Sequence, residues 1–273
     1  MGKLKSSILI KFTLLFVFLA MSIVFNFQAE RPPIKISKQK SAINFNKEFL
    51  KIFHFGQKRL LSAILWIQTV IESDIEHYKG DPFNNWMYLR FDSILSLDPQ
   101  FLEAYRYGGQ YLSIIKDDLK GASDIYDRGL QKYPEDYHLN FNAGFHYVYE
   151  VGNIDKGLPL LDNVKNHPKT LKILPSIVAR IKASQNNFEA AYNLLYQTYL
   201  DTDENSPLKK HYEKSLYALK AEIDLQCLNK GKSSCDEIDF YGNYYIKTTN
   251  GYRSKYSWKK YRINLKSKNK ASE

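Results

Sequence analysis

Between residues 44 and 230 the apolar positions recur every three or four residues rather than every second one, the spacing of helices with one buried face. Leu60, Ile64, Ile67, Ile71 and Ile75 form one such stripe within 44–79, a segment that reads as helix throughout with a break at Gly56. Leu208, Tyr212, Leu216, Leu219, Ile223 and Cys227 form another, opened by Ser206 as a cap and Pro207 at the first helical position. Lys209, Lys210, Glu213, Lys214 and Lys220 fall off that stripe and are expected in water. The last part of the chain changes character. "DFYGNYYIKTTNGYRSKYSWKKYRINL" is rich in strand formers and carries turn signals at Gly242-Asn243 and Asn250-Gly251. It predicts a small hairpin of two or three strands docked on the final helix.

The helical stretch repeats itself. "SLDP", "QKYP" and "KNHP" place Pro99, Pro134 and Pro168 at spacings of 35 and 34 residues, each closing an apolar helix. In "NAGFHYVYEVGNIDKG" small residues sit beside large aromatics. Ala143-Gly144 and Tyr147 are followed by the turn Gly152-Asn153-Ile154 and then Gly157. One copy earlier stand Gly108-Gly109, Ala122, Tyr126, Gly129 and Pro134. A fainter first copy keeps Tyr78, Phe91 and Asp98-Pro99. A fourth keeps Gln185-Asn186-Asn187-Phe188 and Ala190-Ala191 but lacks the closing proline. The pattern resembles the tetratricopeptide repeat, a helix–turn–helix unit, over roughly residues 57–200.

That resemblance implies an all-α, right-handed solenoid of about three to four repeats, followed by a capping helix and the β-hairpin extension. Gly108, Gly109, Ala122, Tyr126, Gly129, Gly144, Tyr147, Gly152, Gly157 and Ala191 become the repeat-packing positions. The small ones let helices cross closely while the aromatics fill the flanks. It also implies a concave groove for a peptide or helix of a partner protein, with Arg106, Gln110, Asn142 and His146 as candidate contacts. The family carries no common catalytic residue, so none transfers.

The start of the chain is different in kind. "FTLLFVFLAMSIVFNF", Phe12 to Phe27, contains no charge. As a helix it is about 24 Å long, near the lower limit for crossing a bilayer. It reads as an uncleaved anchor, with a cleaved signal segment as the alternative. Against cleavage, Phe18-Leu19-Ala20 and Phe27-Gln28-Ala29 put Phe where a signal peptidase site wants a small residue. The opening "MGKLKS" fits a myristoylation pattern, a chance match in front of a spanning helix. The expected layout is an anchor or signal segment over 1–29, a Pro32-Pro33 linker over 30–43 and repeats over 44–200. A capping helix over 206–230, a β extension over 235–265 and a disordered basic tail over 266–273 complete it.

Charge refines this layout. The net charge of +10 sits at the two ends, leaving the body mildly acidic, which suits membrane flanks and makes nucleic acid an improbable partner. A short basic amino terminus stays on the cytoplasmic side, placing the body outside a bacterial inner membrane. Such single-pass repeat proteins serve envelope assemblies of the secretion, pilus or motility type, an expectation by analogy.

Chemistry is sparse. There is no phosphate-cradling glycine loop, nucleophile elbow or His-Glu-x-x-His, and no enzyme activity, metal or cofactor is expected. His146 and Glu150 lie four apart on a helix, where two metal ligands could meet, but an ordinary surface pair is the plainer reading. Asp117-Asp118 reads as a solvated loop. Cys227 and Cys235 either form a disulfide pinning the hairpin or are two unrelated thiols. "YRSKYSWKKYRINLK" interleaves bases with aromatics. It reads as a strand pair with its rings packed inward, or, in the alternative function, as a binder of an anionic envelope surface (lipid or wall polymer) or of nucleic acid.

Overall fold

The computed structural model describes residues 13–25, 36–232 and 234–263. It divides into two compact units, Met1–Ala42 and Ile43–Glu273. In the first, residues 13–25 are helical with every position exposed, and Lys38–Ser41 form a single turn. Among the described residues no helix is long and apolar enough to cross a membrane. The rest of the expected anchor, 1–12 and 26–29, lies outside the described residues, as do linker residues 30–35, residues 264–265 and the basic tail 266–273.

The second unit is mostly helical with one small antiparallel sheet. Its helices are α1 (Lys47–Ile52), α2 (Lys58–Ile71), α3 (Trp86–Leu97), α4 (Leu102–Gln110), α5 (Leu119–Lys132) and α6 (Tyr137–Phe145), followed by α7 (Ile154–Val164), α8 (Leu174–Ser184), α9 (Phe188–Leu200) and α10 (Pro207–Asn229). Consecutive helices pack in pairs, α2 on α3, α4 on α5, α6 on α7 and α8 on α9, with α10 against α9. Neighbouring pairs meet through α4 on α6 and α7 on α8.

The recurrence seen in the sequence has a physical counterpart at the turns. Asp117, Gly152 and Asn186 adopt left-handed backbone (φ 56°, 78° and 62°) at intervals of 35 and 34 residues. Each is followed by an Asx residue at the start of the next helix. Asp118 accepts from the Gly121 amide and Asn153 from the Lys156 amide, each satisfying a helix-start donor. Before two of these turns the helix widens into a π-helical turn, Tyr111–Ile115 after α4 and His146–Val151 after α6. The backbone bond Asp118 N to Leu112 O reappears as Asn153 N to Tyr147 O, 35 residues on. Asp118 itself is buried, so the solvated-loop reading of Asp117-Asp118 is corrected. A cap bonded to the first turn of α5 belongs under the crossing helix, not in water.

The small residues stand at the crossings. A Cβ on Gly144 would lie 2.6 Å from Leu161 Cγ. One on Gly157 would lie 2.8 Å from the Gly144 carbonyl oxygen and 2.9 Å from Val148 N. α6 and α7 therefore touch backbone to backbone. Gly109 lies under the Tyr126 ring and Gly129 against Tyr105, while Gly108, Ala122, Tyr147 and Ala191 are also buried. Gly152 is exposed and meets nothing within 4 Å, so its role is the left-handed turn alone.

Three sequence expectations are corrected. Over 44–79 the break expected at Gly56 is present between two helices, but the segment after Ile71 is an extended strap instead of helix. Left-handed Phe55 and Gly56 separate α1 from α2, and α2 ends at Ile71. The chain beyond it is drawn to the turn after α4. Tyr78 N donates to Lys116 O at 2.7 Å, and the buried Lys116 ammonium bonds the Asp74 carboxylate and Glu76 O. The stripe Leu60, Ile64, Ile67, Ile71 and Ile75 is exposed instead of buried. α2 faces α3 with Ser62, Leu65 and Thr69, and Ser62 Oγ donates to Ile94 O at 3.2 Å. Finally, Lys209 is buried, its ammonium bonded to Tyr199 O and Thr202 O, where it closes the end of α9. Glu222 and Asp224 are buried as well, because the C-terminal extension covers a second face of α10.

That extension is built on few backbone pairs and many side-chain bonds. β1 (Ile246–Thr248) and β2 (Gly251–Arg253) pair with Ile246 opposite Arg253, preceded by an isolated bridge between Ile238 and Tyr244. The turn falls on Thr249-Asn250, one position before the Asn250-Gly251 signal, since Gly251 pairs with Thr248. Asn229 at the end of α10 accepts from Tyr252 N at 2.7 Å, and Tyr245 donates to Asp224 at 2.8 Å. Residues 254–263 form no strand, against the expected strand pair. Their polar groups go to helices instead: Tyr261 to Ser176, Ile263 N to Ser184 and Arg262 to Glu222. Tyr261 is thereby part of the core formed by α8, α9 and α10.

Candidate functional site

The four groove candidates do not share one environment. Arg106, on α4, forms a two-point ion pair with Asp136, its Nε donating at 2.9 Å. Asp136 is also the N-cap of α6, accepting from Leu139 N at 2.9 Å. Burial raises the Asp136 carboxyl, but the Arg106 and Leu139 hydrogen bonds outweigh it and the net pKa is lowered. Arg106 thus straps α4 to the start of α6. Gln110 and Asn142 are half-buried on α4 and α6, two helices that pack together.

His146 is corrected outright, as a groove residue and as one half of a surface pair with Glu150. It is 2% exposed, in the π turn after α6. Ser123 Oγ donates to Leu119 O at 2.8 Å and so accepts from His146 Nε2–H at 2.9 Å; Nδ1 accepts from Ser113 O–H at 2.8 Å. Both ring nitrogens are committed, and the neutral imidazole joins three consecutive helical segments. Burial lowers its pKa to about 4, the opposing attraction of Glu150 and Asp127 being weaker and Lys156 adding to the fall. Widening of the helix at the π turn carries this ring inward, a feature that 3.6-residue periodicity does not encode. Beside it, Tyr147 donates to Asp127 at 2.6 Å, and Lys156 caps the pair from above the Tyr147 ring.

Among the described residues no group of three or more His, Cys, Asp or Glu is placed to hold a metal ion. Cys227 and Cys235 are joined in a disulfide that ties the end of α10 to the start of the extension. Closing so short a loop stabilises by about 2.5 kcal/mol in the chain-entropy account. Reduction with a phosphine at neutral pH is expected to lower the urea midpoint correspondingly. An unchanged midpoint, with both thiols titrated free, would show that the bond constrains nothing.

The most concentrated chemistry lies where the C-terminal run crosses α8 and α10. A cleft of about 690 Å³ opens there, with Arg180, His211, Lys214, Lys259 and Lys260 on its walls and no acid among its lining residues. The Arg180 guanidinium lies 4.8 Å from the centre of the Tyr261 ring. Tyr217 and Tyr241 stack at 5.1 Å on one side, and Trp258 lines it too. Sequence reading singled out the basic aromatic tail but not Arg180 or His211. They come from helices dozens of residues upstream and carry no local signal of their own. No protein family, curated protein or solved structure matches the chain.

Proposed function

We propose that this chain is a tetratricopeptide-like helical-repeat scaffold, tethered to a membrane by its N-terminal apolar run, that holds a partner protein for an envelope assembly. The observation that carries this reading is the left-handed residue followed by an Asx helix start at 117–118, 152–153 and 186–187, with glycine-lined crossings in the α4–α5 and α6–α7 pairs. A repeated helix pair stacked on its neighbours builds an extended surface from side chains at corresponding positions. Gln110 and Asn142, half-buried on the packed helices α4 and α6, are the contacts of choice. Arg106 acts there through Asp136, and His146 lies beneath the surface. The disulfide fits a body on the oxidising, extracytoplasmic side.

Photo-crosslinking amino acids at position 110, position 142 and the exposed Lys132 of α5 test the reading in the full-length chain in its own cells. One adduct of the same mass from 110 and 142, and none from 132, is expected. Adducts equal at all three positions, or absent from 110 and 142, would refute the shared face.

A further inference from the structure

The cleft between α8, α10 and the C-terminal run is chemically unlike the rest of the body. We infer that it is a binding site for a phosphate ester carried on a compact apolar or aromatic group. Its walls bring together Arg180 from α8, His211 and Lys214 from α10, and Lys259 and Lys260 from the tail. Among the described residues no carboxylate lies within ion-pair distance of Arg180, Lys214, Lys259 or Lys260, while Arg262 at the edge is already paired with Glu222. Gathering like charges in a concavity is unfavourable, and a bound anion offsets that cost.

The donor set selects the anion. A phosphate ester carries up to two negative charges and three acceptor oxygens, enough for a guanidinium fork and two ammonium groups at once. A carboxylate offers one charge and two oxygens and leaves part of the set unmet. Arg180 is already held over Tyr261, so little rotamer freedom remains to be lost on binding. Trp258 and the Tyr217–Tyr241 stack supply a wall for a ring or short acyl group. The volume suits a small molecule or one lipid headgroup rather than a polymer strand. The site lies apart from Gln110 and Asn142, so the partner face and this cleft succeed or fail separately.

The test uses full-length protein in neutral detergent, with phenyl phosphate as the soluble ester and monomeric dihexanoyl phosphatidic acid as the headgroup. Calorimetry is expected to show saturable binding of at least one, with benzoate at least tenfold weaker. Arg180→Gln and Lys214→Gln should each weaken binding tenfold or more, while Lys210→Gln, off the cleft, leaves it unchanged. Should loss of the Arg180–Tyr261 contact unfold the first variant, Lys214→Gln, an exposed position, carries the comparison alone. Binding of phenyl phosphate assigns a free organophosphate, and binding of the lipid alone assigns a headgroup. The proposal is overturned if neither ester binds, if benzoate binds equally, or if Lys210→Gln weakens binding as much as Lys214→Gln.

Discussion

Gly157→Ala is expected to lower the stability of the helical body by about 3 kcal/mol, against a gain of about 0.5–1 kcal/mol that alanine ordinarily brings to a helix interior. The sign follows from what the added methyl meets. The Gly144 carbonyl oxygen at 2.8 Å and Val148 N at 2.9 Å are backbone atoms and cannot turn aside, so α6 and α7 must separate. Separation loosens Leu161 and Val148, both fully buried, and with them the core shared with α8. Gly144→Leu pushes into Leu161 from the other side and should prevent folding altogether. Gly152→Ala is the control. Nothing lies near that site, and its cost is limited to the left-handed backbone, about 1 kcal/mol. Urea titrations of the three variants decide the matter: a Gly157→Ala protein as stable as the parent would mean that the helices do not cross there.

Acidification gives the second large effect. His146 has a pKa of about 4 in the folded chain against 6.5 when free. Between those values the unfolded chain binds a proton that the folded chain refuses, so stability falls as the pH drops from 6.5 towards 4. The loss from this one ring is about 3 kcal/mol when complete. The folded ring cannot take the proton cheaply, because the charge would be buried and repelled by Lys156. Burial lowers His211 as well, with Arg180 and Lys214 contributing, and its titration adds a loss of the same sign. Denaturation midpoints of the parent and His146→Gln across pH 7 to 4 separate the two. The variant is expected to be weaker at pH 7 but to have the shallower pH dependence. Parallel curves would show that the ring is not buried neutral.

Much of the helical body could be read along the chain for reasons that are local. The left-handed turn at Gly152 needs no distant partner, and a cap such as Asn153 bonds an amide three residues away. Ser206 and Pro207 open α10 by the same logic. Small residues at 144 and 157 marked a crossing because no larger side chain leaves room for one. His146 was misjudged, and the pairing of Arg106 missed, for the opposite reason. Helical periodicity assigns a residue to a face but not to what covers that face. Asp136, 30 residues on, turned Arg106 into a strap, and the π turn with two serines took His146 inside.

The same limit explains the exposed stripe of α2, where an apolar face was legible but its covering was not. It explains the cleft as well, since Arg180, Lys214 and Lys260 meet only because Tyr261 reaches back 85 residues to Ser176. By itself, then, the sequence determined the 34–35 residue rhythm, the helix starts and the close crossings, all set by interactions spanning a turn or two of chain. Tertiary structure alone decided which polar side chains are buried, which apolar face stays open and where unpaired cations gather. Those outcomes depend on long-range packing, in which each side chain's surroundings come from residues far along the chain.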